Sequence, residues 1–467
     1  MNRKNKRWMI GALAFALSAL VPCQVHAQRW DHDGNGDKDS HHLNIKSFAV
    51  ETPDNTLTYP TSYLVNLPDE HTTLMPIWSR PYPFQGPAVE SYLLFGSSSV
   101  KGGSGGAVAL QTTDLSNFVQ PHGYPEQVMN PPVAFTDCNP QYDLEFDENY
   151  SAPGSVVQDP ALPPGNLIMI YEAENHCPSG MHQPSFYATV GFARSSDYGK
   201  TWPAPANSEF GNAERHPVFK DIDPEPPYQA NSENMGDALP SAFVDINDWG
   251  EAYLYVTYGY AKGPNRPLPT DGLIRVGRAR LGEVRHDFDD DFHSWGQQGG
   301  NTPAPPALDF YKWYQGSFSQ PGIAGLDSGV IPKTGCTGRQ VMPGITRNDE
   351  LGLYFMIFLC NPSSTDPVTG KTYAAWYYST TTSLERQEWS EPQPILNSQH
   401  EIVAPCNNSD PLQPTGSNFD GFYPSFMTPG APAGHIGLTG LAFFLNGCDT
   451  GLPRTFASRK FTITTEP

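Results

Sequence analysis

Carboxylic acids stand shortly before several strand-like segments of this sequence. Four are singled out by that position: Asp147, Glu148, Asp237 and Asp420. Paired carboxyl groups can hydrolyse a glycosidic bond, because one protonates the leaving oxygen while the other acts as a base or nucleophile. Carboxyl groups held close together also raise one another's pKa, which helps one of them to serve as the acid. We therefore predict that a catalytic acid/base pair is drawn from these four residues.

Four other polar side chains are predicted to hold a substrate near these acids. Glu172 and Glu174 alternate on an otherwise apolar segment, so they share one face of a strand. An ionised Glu is rarely placed there without a partner. The alternative is that the strand ends here and leaves both acids solvated beside His176. Arg339 and His71 precede other strand-like segments, and a guanidinium can hold a sugar hydroxyl or a carboxylate.

An acidic stretch near the N-terminus has oxygen-bearing side chains at alternate positions, with glycines between them. This arrangement is similar to the first part of an EF-hand loop, which binds calcium. Its closing position falls on His42 instead of Glu. The segment is predicted to be a disordered acidic tail, with a weak calcium site as the alternative; the hydrolytic chemistry itself requires no cofactor. The ligands of the predicted site are Asp31, Asp33, Asn35, Asp37 and Asp39.

A repeat places these residues along the chain. Five units each begin with a residue followed by Pro, continue through a strongly apolar segment and end in a third strand with a turn. Pro fits the first residue of a strand, because its missing N–H group need not enter the hydrogen-bond ladder. The apolar segments have the near-continuous hydrophobicity of strands buried on both faces. The five Pro steps are Met75-Pro76, Ala152-Pro153, Leu239-Pro240, Met342-Pro343 and Tyr423-Pro424.

Five such units predict an all-β protein, a five-bladed β-propeller over residues 43–467. Residues 43–65 are predicted to supply a strand that closes the ring onto the last blade. Residues from about 285 to 320 are predicted to form an insertion between the third and fourth blades. Since the inner strands of a propeller converge on an axial cavity, acids just before them would meet near one axis. A β-sandwich with an accessory module is the alternative fold.

Residues 195–202 fit the Asp-box pattern S-x-D-x-G-x-T-W. Ser195 and Asp197 can fold back onto backbone N–H groups, and Gly199 adopts a conformation that other residues resist. Trp202 can bury beside the turn. We predict a rigid corner between two strands, with degenerate equivalents at 112–118 and 381–389. Such a corner indicates the fold and says little about chemistry.

Several of these segments resemble a known family. Residues 92–99 followed by 107–118 are similar to the first blade of glycoside hydrolase family 43 and its relatives, and residues 374–389 repeat that style. The Asp-box resembles those of sialidases. The resemblance implies a five-bladed propeller glycoside hydrolase with its catalytic acids at the starts of inner strands.

Two departures keep other functions open. The His-Asp-Pro-like step common in the first blade of family 43 is missing, and this favours a non-catalytic propeller that binds glycans or a protein partner. The early Arg-Ile-Pro motif of sialidases is also missing, with Ser79-Arg80-Pro81 as a poor substitute. A sialidase-like exo-glycosidase is therefore only the second alternative to a glycoside hydrolase with paired carboxylates.

Residues 1–27 have the features of a signal peptide. Four basic residues precede an apolar run over residues 9–21, and Val25-His26-Ala27 suits signal-peptidase cleavage. The run is too short to span a membrane. We predict a secreted or periplasmic protein whose residues 28–42 form an acidic N-terminal segment.

The charge of the chain restricts its partners. Removal of the four basic residues of the signal peptide changes the formal charge of −21 to −25. Such an acidic surface disfavours binding to nucleic acid and to anionic membranes. A glycan or oligosaccharide is the predicted partner, and the protein is predicted to be a monomer.

The cysteines indicate disulfide bonds. Of the seven in the sequence, six remain after the signal peptide is removed, and an even number in an exported chain favours disulfides. Six cysteines allow 15 pairings. Proximity along the chain favours three pairs: Cys138–Cys177, Cys336–Cys360 and Cys406–Cys448.

Overall fold

The computed structural model describes residues 44–51, 55–58, 63–64, 73–78, 89–100, 105–130, 146–147, 150–175, 186–202, 215–220, 235–261, 272–284, 308–365, 372–397, 422–446 and 455–466. These residues form strands joined by turns and loops, and no helix occurs among them. In chain order the strands are β1 (Asn44–Val50), β2 (Asn55–Thr56), β3 (Tyr63–Leu64), β4 (Leu74–Trp78), β5 (Val89–Val100), β6 (Gly105–Thr112), β7 (Tyr150–Gln158), β8 (Leu167–Asn175), β9 (Tyr187–Ser195), β10 (His216–Phe219), β11 (Met235–Ile246), β12 (Glu251–Ala261), β13 (Arg275–Glu283), β14 (Phe310–Tyr314), β15 (Ser317–Pro321), β16 (Arg339–Asn348), β17 (Leu353–Thr365), β18 (Thr372–Thr381), β19 (Gln393–Pro394), β20 (Leu396–Asn397), β21 (Phe422–Met427), β22 (His435–Ile436), β23 (Thr439–Asn446) and β24 (Thr455–Glu466).

The strands form five antiparallel units that follow one another along the chain. Their inner strands are β4, β7, β11, β16 and β21, and each pairs with the next strand of its own unit. The first three units join into one sheet, because β6 pairs parallel with β7 and β9 pairs parallel with β11. This is the meander expected for the blades of a propeller.

Apolar clusters between successive units close the ring. Phe95 and Tyr171 belong to the cluster between the first two units, and similar clusters fill the next three junctions. A fifth cluster joins the last unit to the first through Leu74 and Met427. Each unit therefore buries both faces against its neighbours, which explains the near-continuous hydrophobicity of the middle strands. The prediction of an all-β propeller is confirmed.

The N-terminal strand completes the last unit. Strand β1 pairs antiparallel with β24, so the fifth unit is built from both ends of the described chain. Phe48 of β1 packs against Phe426 and Phe461, with ring centroids 5.3 and 5.6 Å apart. The closing strand predicted within residues 43–65 is confirmed.

The segment predicted as an insertion, about residues 285–320, carries strands at its C-terminal end. Strand β14 pairs with β13, and β15 pairs with β14, so both extend the third unit. The alternation of buried Phe310, exposed Tyr311 and buried Lys312 matches the period of a strand. Residues 285–307 lie outside the described residues.

The Pro steps lie inside the inner strands and not at their first residues. Leu239, Met342 and Tyr423 each precede a Pro and have φ between 54° and 57°. The register of each strand shifts at this point. A β-bulge accepts Pro because one residue is left out of the ladder, and it bends the strand. Each of the three inner strands therefore contains a bulge of the same kind, which changes the direction of the residues before it.

The Asp-box turn has the hydrogen bonds that its sequence predicts. Ser195 Oγ accepts the N–H of Gly199 at 2.9 Å and donates to Asp197 Oδ1 at 2.7 Å. Trp202 Nε1 donates to the Gly199 carbonyl at 2.9 Å. The equivalent turn of the first unit uses Thr112 Oγ1, which accepts the N–H of Leu115 at 2.9 Å. The first and second units therefore contain the same type of turn, in which a side-chain hydroxyl accepts a backbone N–H group.

Ser195→Ala is expected to destabilise the second unit by about 1–3 kcal/mol, because the buried N–H of Gly199 loses its acceptor. Urea unfolding would measure this difference. Ser116→Ala is the matched control, since Ser116 is exposed in the equivalent turn of the first unit and is expected to change stability by less than about 0.5 kcal/mol. Equal midpoints for the two variants would contradict the role of Ser195.

One predicted disulfide is confirmed. Cys336 and Cys360 are bonded, with Cα atoms 5.9 Å apart, and both are fully buried in the fourth unit. The other four cysteines, Cys138, Cys177, Cys406 and Cys448, lie outside the described residues. So do the predicted signal peptide, the acidic N-terminal segment and the predicted calcium ligands Asp31, Asp33, Asn35, Asp37 and Asp39. Across the described ranges, no helix is long and apolar enough to cross a membrane.

A charged contact ties the fifth unit to the fourth. His435 Nδ1 lies 2.8 Å from Asp349 Oδ2, and Arg347 Nε lies 3.0 Å from Asp349 Oδ1. Burial acts to raise the pKa of Asp349, but the hydrogen bond and charge of His435, together with Arg347, outweigh it and lower the pKa. The stabilisation is therefore present above the pKa of the unfolded carboxyl, about 3.9, and is lost as the pH falls through the lower folded value.

Asp349→Asn is expected to reduce the free energy of unfolding at pH 6 and to have a smaller effect near pH 2. The side chain is half exposed, so screening limits the effect to about 1 kcal/mol or less. Urea unfolding at the two pH values would measure it. An equal loss at both pH values would show that the charge of Asp349 is not what stabilises the contact.

Candidate functional site

A cavity among the inner strands of four units is lined by small hydroxyl groups and apolar side chains. Its lining comes from the first, third, fourth and fifth units and includes Thr73, Leu74, Ser241, Thr346 and Ser425. No charged residue is among the described residues that line it. Ser241 and Ser425 directly follow the Pro of the inner-strand bulge, so the bulge places their hydroxyl groups at the wall of this cavity. The predicted acids therefore have to be sought away from this cavity.

Asp147 lies just before β7, at the end of the propeller where the inner strands begin. Its carboxylate is 1% exposed. Tyr171 donates a hydrogen bond from its hydroxyl to Asp147 Oδ2 at 3.0 Å, and Arg215 Nη1 lies 3.2 Å from the same oxygen. Since Tyr171 belongs to the cluster between the first two units, Asp147 covers one end of that junction.

Asp237 lies near the start of β11 and is fully buried. The ammonium of Lys312 is also fully buried and lies 3.4 Å from Asp237 Oδ2. Lys312 Nζ also donates to the carbonyl of Lys220 at 3.1 Å. Two charges without access to water persist only when they are paired and hydrogen-bonded. Lys312 therefore fixes the place of the Asp237 carboxylate.

The ion pair continues into a buried charge network of four residues. Lys312 Nζ lies 3.7 Å from Asp327 Oδ2, and Arg275 Nε donates to Asp327 Oδ1 at 2.7 Å. These four side chains are two carboxylates and two cations. It lies beside Tyr258 of the cluster between the second and third units, with Lys312 5.9 Å from that ring.

Sequence reasoning missed the cations of this network. Lys312 and Arg275 look like ordinary basic residues, and Asp327 lies in a loop. The signal that could have identified Lys312 is its alternation with Phe310, which places a charge on a buried face of a strand.

Glu172 connects the second unit to the bulge of the third. Its carboxylate is 2% exposed and accepts the N–H of Leu239 at 2.6 Å. Leu239 follows Asp237 by two residues, about 7 Å of strand. Glu174, on the same face of β8, is 8% exposed. The strand ends one residue after Glu174, as the alternative expects, but both glutamates are buried, so the prediction that they are solvated is wrong.

The remaining predicted site residues are distributed as follows. Arg339 begins β16 and is exposed, and its side-chain stem lies over Gly272, where an added Cβ would come within 2.7 Å of Arg339 Cγ. Glu148, Asp420 and His71 lie outside the described residues. The part of the chain described contains no group of three or more His, Cys, Asp or Glu side chains suited to a metal ion.

The opposite end of the second unit carries a comparable pair. Asp159 follows the last residue of β7 and lies 3.2 Å from Arg194, with both side chains buried. Burial raises the pKa of Asp159, and the charge of Arg194 opposes this effect. Nine strand residues, about 30 Å, separate this pair from Asp147. It therefore serves as an internal reference for a buried carboxylate remote from the predicted site.

No protein-family model and no curated protein matches the sequence. Solved structures of glycoside hydrolases are similar over most of the chain. The catalytic domain of a GH62 α-L-arabinofuranosidase from Coprinopsis cinerea is 12% identical, with 90% of this chain and 98% of that chain covered and a TM-score of 0.40. A GH43_1 enzyme from Xanthomonas citri complexed with xylose is 13% identical, with 88% and 94% covered and a TM-score of 0.39. These likenesses are distant, so the function is argued from the residues of this chain.

Proposed function

We propose that this protein is an exported glycoside hydrolase. The observation that supports the proposal is that two neighbouring units each place buried carboxylates at the end of the propeller where the inner strands begin. Glu172 of the second unit reaches the bulge of the third, and Asp237 lies two residues before that bulge. Asp147 lies at the same end of the second unit.

The charge network supports a role for Asp237 as the ionised carboxylate. A buried ion pair contributes little to stability compared with apolar residues of similar size, so its retention points to another use. In the proposed reaction Asp237 acts as base or nucleophile. A second carboxyl group, drawn from Asp147, Glu148 and Asp420, gives its proton to the leaving oxygen. As base, Asp237 takes a proton from the attacking water, so the protons balance. As nucleophile, it forms a glycosyl ester as the leaving group departs, and water then cleaves this ester while the second carboxylate takes the proton of that water.

Polar side chains around these acids would hold the sugar. Glu172 and Glu174 offer carboxylate oxygens to hydroxyl groups, and Arg339 and His71 are proposed as further contacts. The acidic charge of the chain favours a neutral glycan over a polyanion. Export to the periplasm or the medium, proposed from residues 1–27, would bring the protein to such a substrate.

A non-catalytic glycan-binding propeller is the second candidate function. Asp147 and Asp237 are 1% and 0% exposed, and each contacts a cation. Carboxylates held in this way also serve to close the junctions between units. In that case the glycan would contact the same end of the propeller without hydrolysis.

Incubation of the purified protein with a panel of glycans separates these functions. The panel contains arabinan, xylan, mannan, β-glucan and a sialylated glycan, and products are separated by anion-exchange chromatography. Release of neutral sugars supports the proposal. Retention of the protein on a glycan without product supports the binding function, and release of sialic acid alone assigns the sialidase-like alternative.

A further inference from the structure

A buried hydroxyl group lies at the wall of the cavity among the inner strands. Ser425 belongs to β21 of the fifth unit, lines this cavity and is 4% exposed. Among the described residues, no group forms a hydrogen bond with its Oγ. A buried hydroxyl without a partner is costly, and in folded proteins such groups are usually satisfied by other protein groups or by ordered water. The question is therefore which partner the cavity brings to Ser425.

Two more hydroxyl groups line the same cavity, and both retain capacity for another hydrogen bond. Thr346 of the fourth unit donates from Oγ1 to the carbonyl of Gly434 at 2.7 Å, and this bond uses its donor but not its acceptor positions. Ser241 Oγ of the third unit lies 3.2 Å from Ser155 Oγ, which is one of the three bonds that a hydroxyl can form. Three successive units thus each contribute one hydroxyl to the wall.

The cavity has the size of a single water molecule. The volume in which the centre of a water molecule can lie is about 20 Å³. By the same measure, about 10–15 Å³ is enough for one molecule. In so small a space, the hydroxyl groups of the wall lie around one common centre. A sugar or another organic ligand is too large for it.

Close packing of the inner strands explains the small residues at this level. In the second to fifth units, the residue directly after the Pro of the inner strand is Gly154, Ser241, Gly344 or Ser425. A Cβ added to Gly154 would come within 2.2 Å of the carbonyl oxygen of Pro240, so space is restricted here. A hydroxyl is not needed for small size, since Gly or Ala is smaller. The two serines therefore indicate a need for hydrogen bonds at the cavity.

The chemistry of the wall selects a neutral ligand. The described residues that line the cavity carry no charge, and a buried ion without a counter-charge is strongly disfavoured. A water molecule can both donate and accept hydrogen bonds, as the wall requires. It can donate to Thr346 Oγ1 and to Ser241 Oγ while it accepts the hydroxyl of Ser425.

We propose that this cavity binds one ordered water molecule, which joins the hydroxyl groups of Ser241, Thr346 and Ser425. The water connects the third, fourth and fifth units by hydrogen bonds. It gives the buried hydroxyl of Ser425 its partner. The proposal does not depend on hydrolysis, because none of the predicted acids lines the cavity.

Crystal structures of the wild-type protein, with and without xenon under pressure, test this proposal directly. Without xenon, one fully occupied water is expected at about 2.5–3.0 Å from the three hydroxyl oxygens. Under pressure, xenon is expected to stay out of the cavity, because xenon enters dry apolar cavities and not sites that hold a bound water.

Ser425→Ala is expected to lower the midpoint of urea unfolding, because the bound water loses one of its partners. Ser151→Ala is the matched control. Ser151 lies on the inner strand β7, and its buried Oγ also has no hydrogen-bond partner among the described residues, but it is not among those that line this cavity. Removal of a hydroxyl that binds nothing is expected to leave the midpoint unchanged or to raise it.

Four results would overturn the proposal. Two are crystallographic: a cavity without water density or filled by xenon, and an ion identified there by its anomalous scattering. The third is a midpoint of Ser425→Ala equal to or above that of the wild type, which would show that its hydroxyl binds nothing. The fourth is an equal fall for Ser151→Ala, which would assign the loss to the removal of any buried serine hydroxyl. The wild-type crystal structures decide the proposal even if Ser425→Ala does not fold.

Discussion

If the proposed hydrolase function holds, Asp237→Asn is expected to lower kcat on the glycan substrate by about 10²–10⁴-fold, the usual contribution of a general acid or base. Asn keeps the shape of the side chain but cannot take a proton or carry the charge that Lys312 faces at 3.4 Å. Substrate binding is expected to persist, because the substitution does not touch Glu172 and Glu174, the proposed hydroxyl contacts. Steady-state kinetics would measure the fall in kcat and the small change in KM.

Asp159→Asn is the matched control for this loss. It also removes a buried carboxylate from a cation, Arg194, but at the opposite end of the second unit. Both variants are expected to lose stability, and only Asp237→Asn to lose turnover. Equal kcat values for Asp237→Asn and wild type, with both folded, would remove Asp237 from the mechanism. Equal losses in the two variants would show that stability alone explains the effect.

The repeated units could be predicted from sequence because they depend on local chemistry. Middle strands such as β8 and β17 are nearly continuous runs of apolar residues, since both faces are buried between units. The Asp-box turn also follows from residues within one octapeptide. Features that depend on contacts within a few residues can be predicted from a sequence. Here they suffice to predict the propeller fold.

The partners of the predicted acids could not be predicted in the same way. Lys312 lies 75 residues from Asp237 in sequence and reaches it only because β14 extends the third unit. Arg215 meets Asp147 for a similar reason, from the segment before β10. Cation–carboxylate contacts of this kind depend on tertiary packing, so the sequence can indicate that Lys312 is buried but not that Asp237 is its partner.

The bulge shows a second limit of sequence reasoning. A Pro after Leu239 or Met342 correctly predicts an inner strand, but the Pro lies inside that strand and not at its first residue. Both residues have positive φ, which is rare for large side chains and costs energy unless the surroundings impose it. Glu172 supplies part of that constraint, because it accepts the N–H of Leu239. The geometry of the site thus depends on a contact between units.

Lys312→Met is expected to lower the free energy of unfolding by about 3–5 kcal/mol, the usual cost of leaving a buried charge without its partner. Asp237 would lose the ammonium at 3.4 Å, and Asp327 would lose the same ammonium at 3.7 Å while its contact with Arg275 remains. Met fills a similar volume, so the loss reports charge and not a cavity.

Lys46→Met is the matched control for this loss. Lys46 pairs with Glu466 at 3.6 Å, but both side chains are more than half exposed, so the expected change is below about 1 kcal/mol. Urea unfolding would measure both variants. The double variant Asp237→Asn/Lys312→Met is expected to lose less stability than the sum of the two single variants. Lys312→Met leaves the charge of Asp237 without its partner, and Asp237→Asn removes that charge. Additive losses would show that the two side chains stabilise the propeller independently, and the network would then not be what holds the Asp237 carboxylate in place.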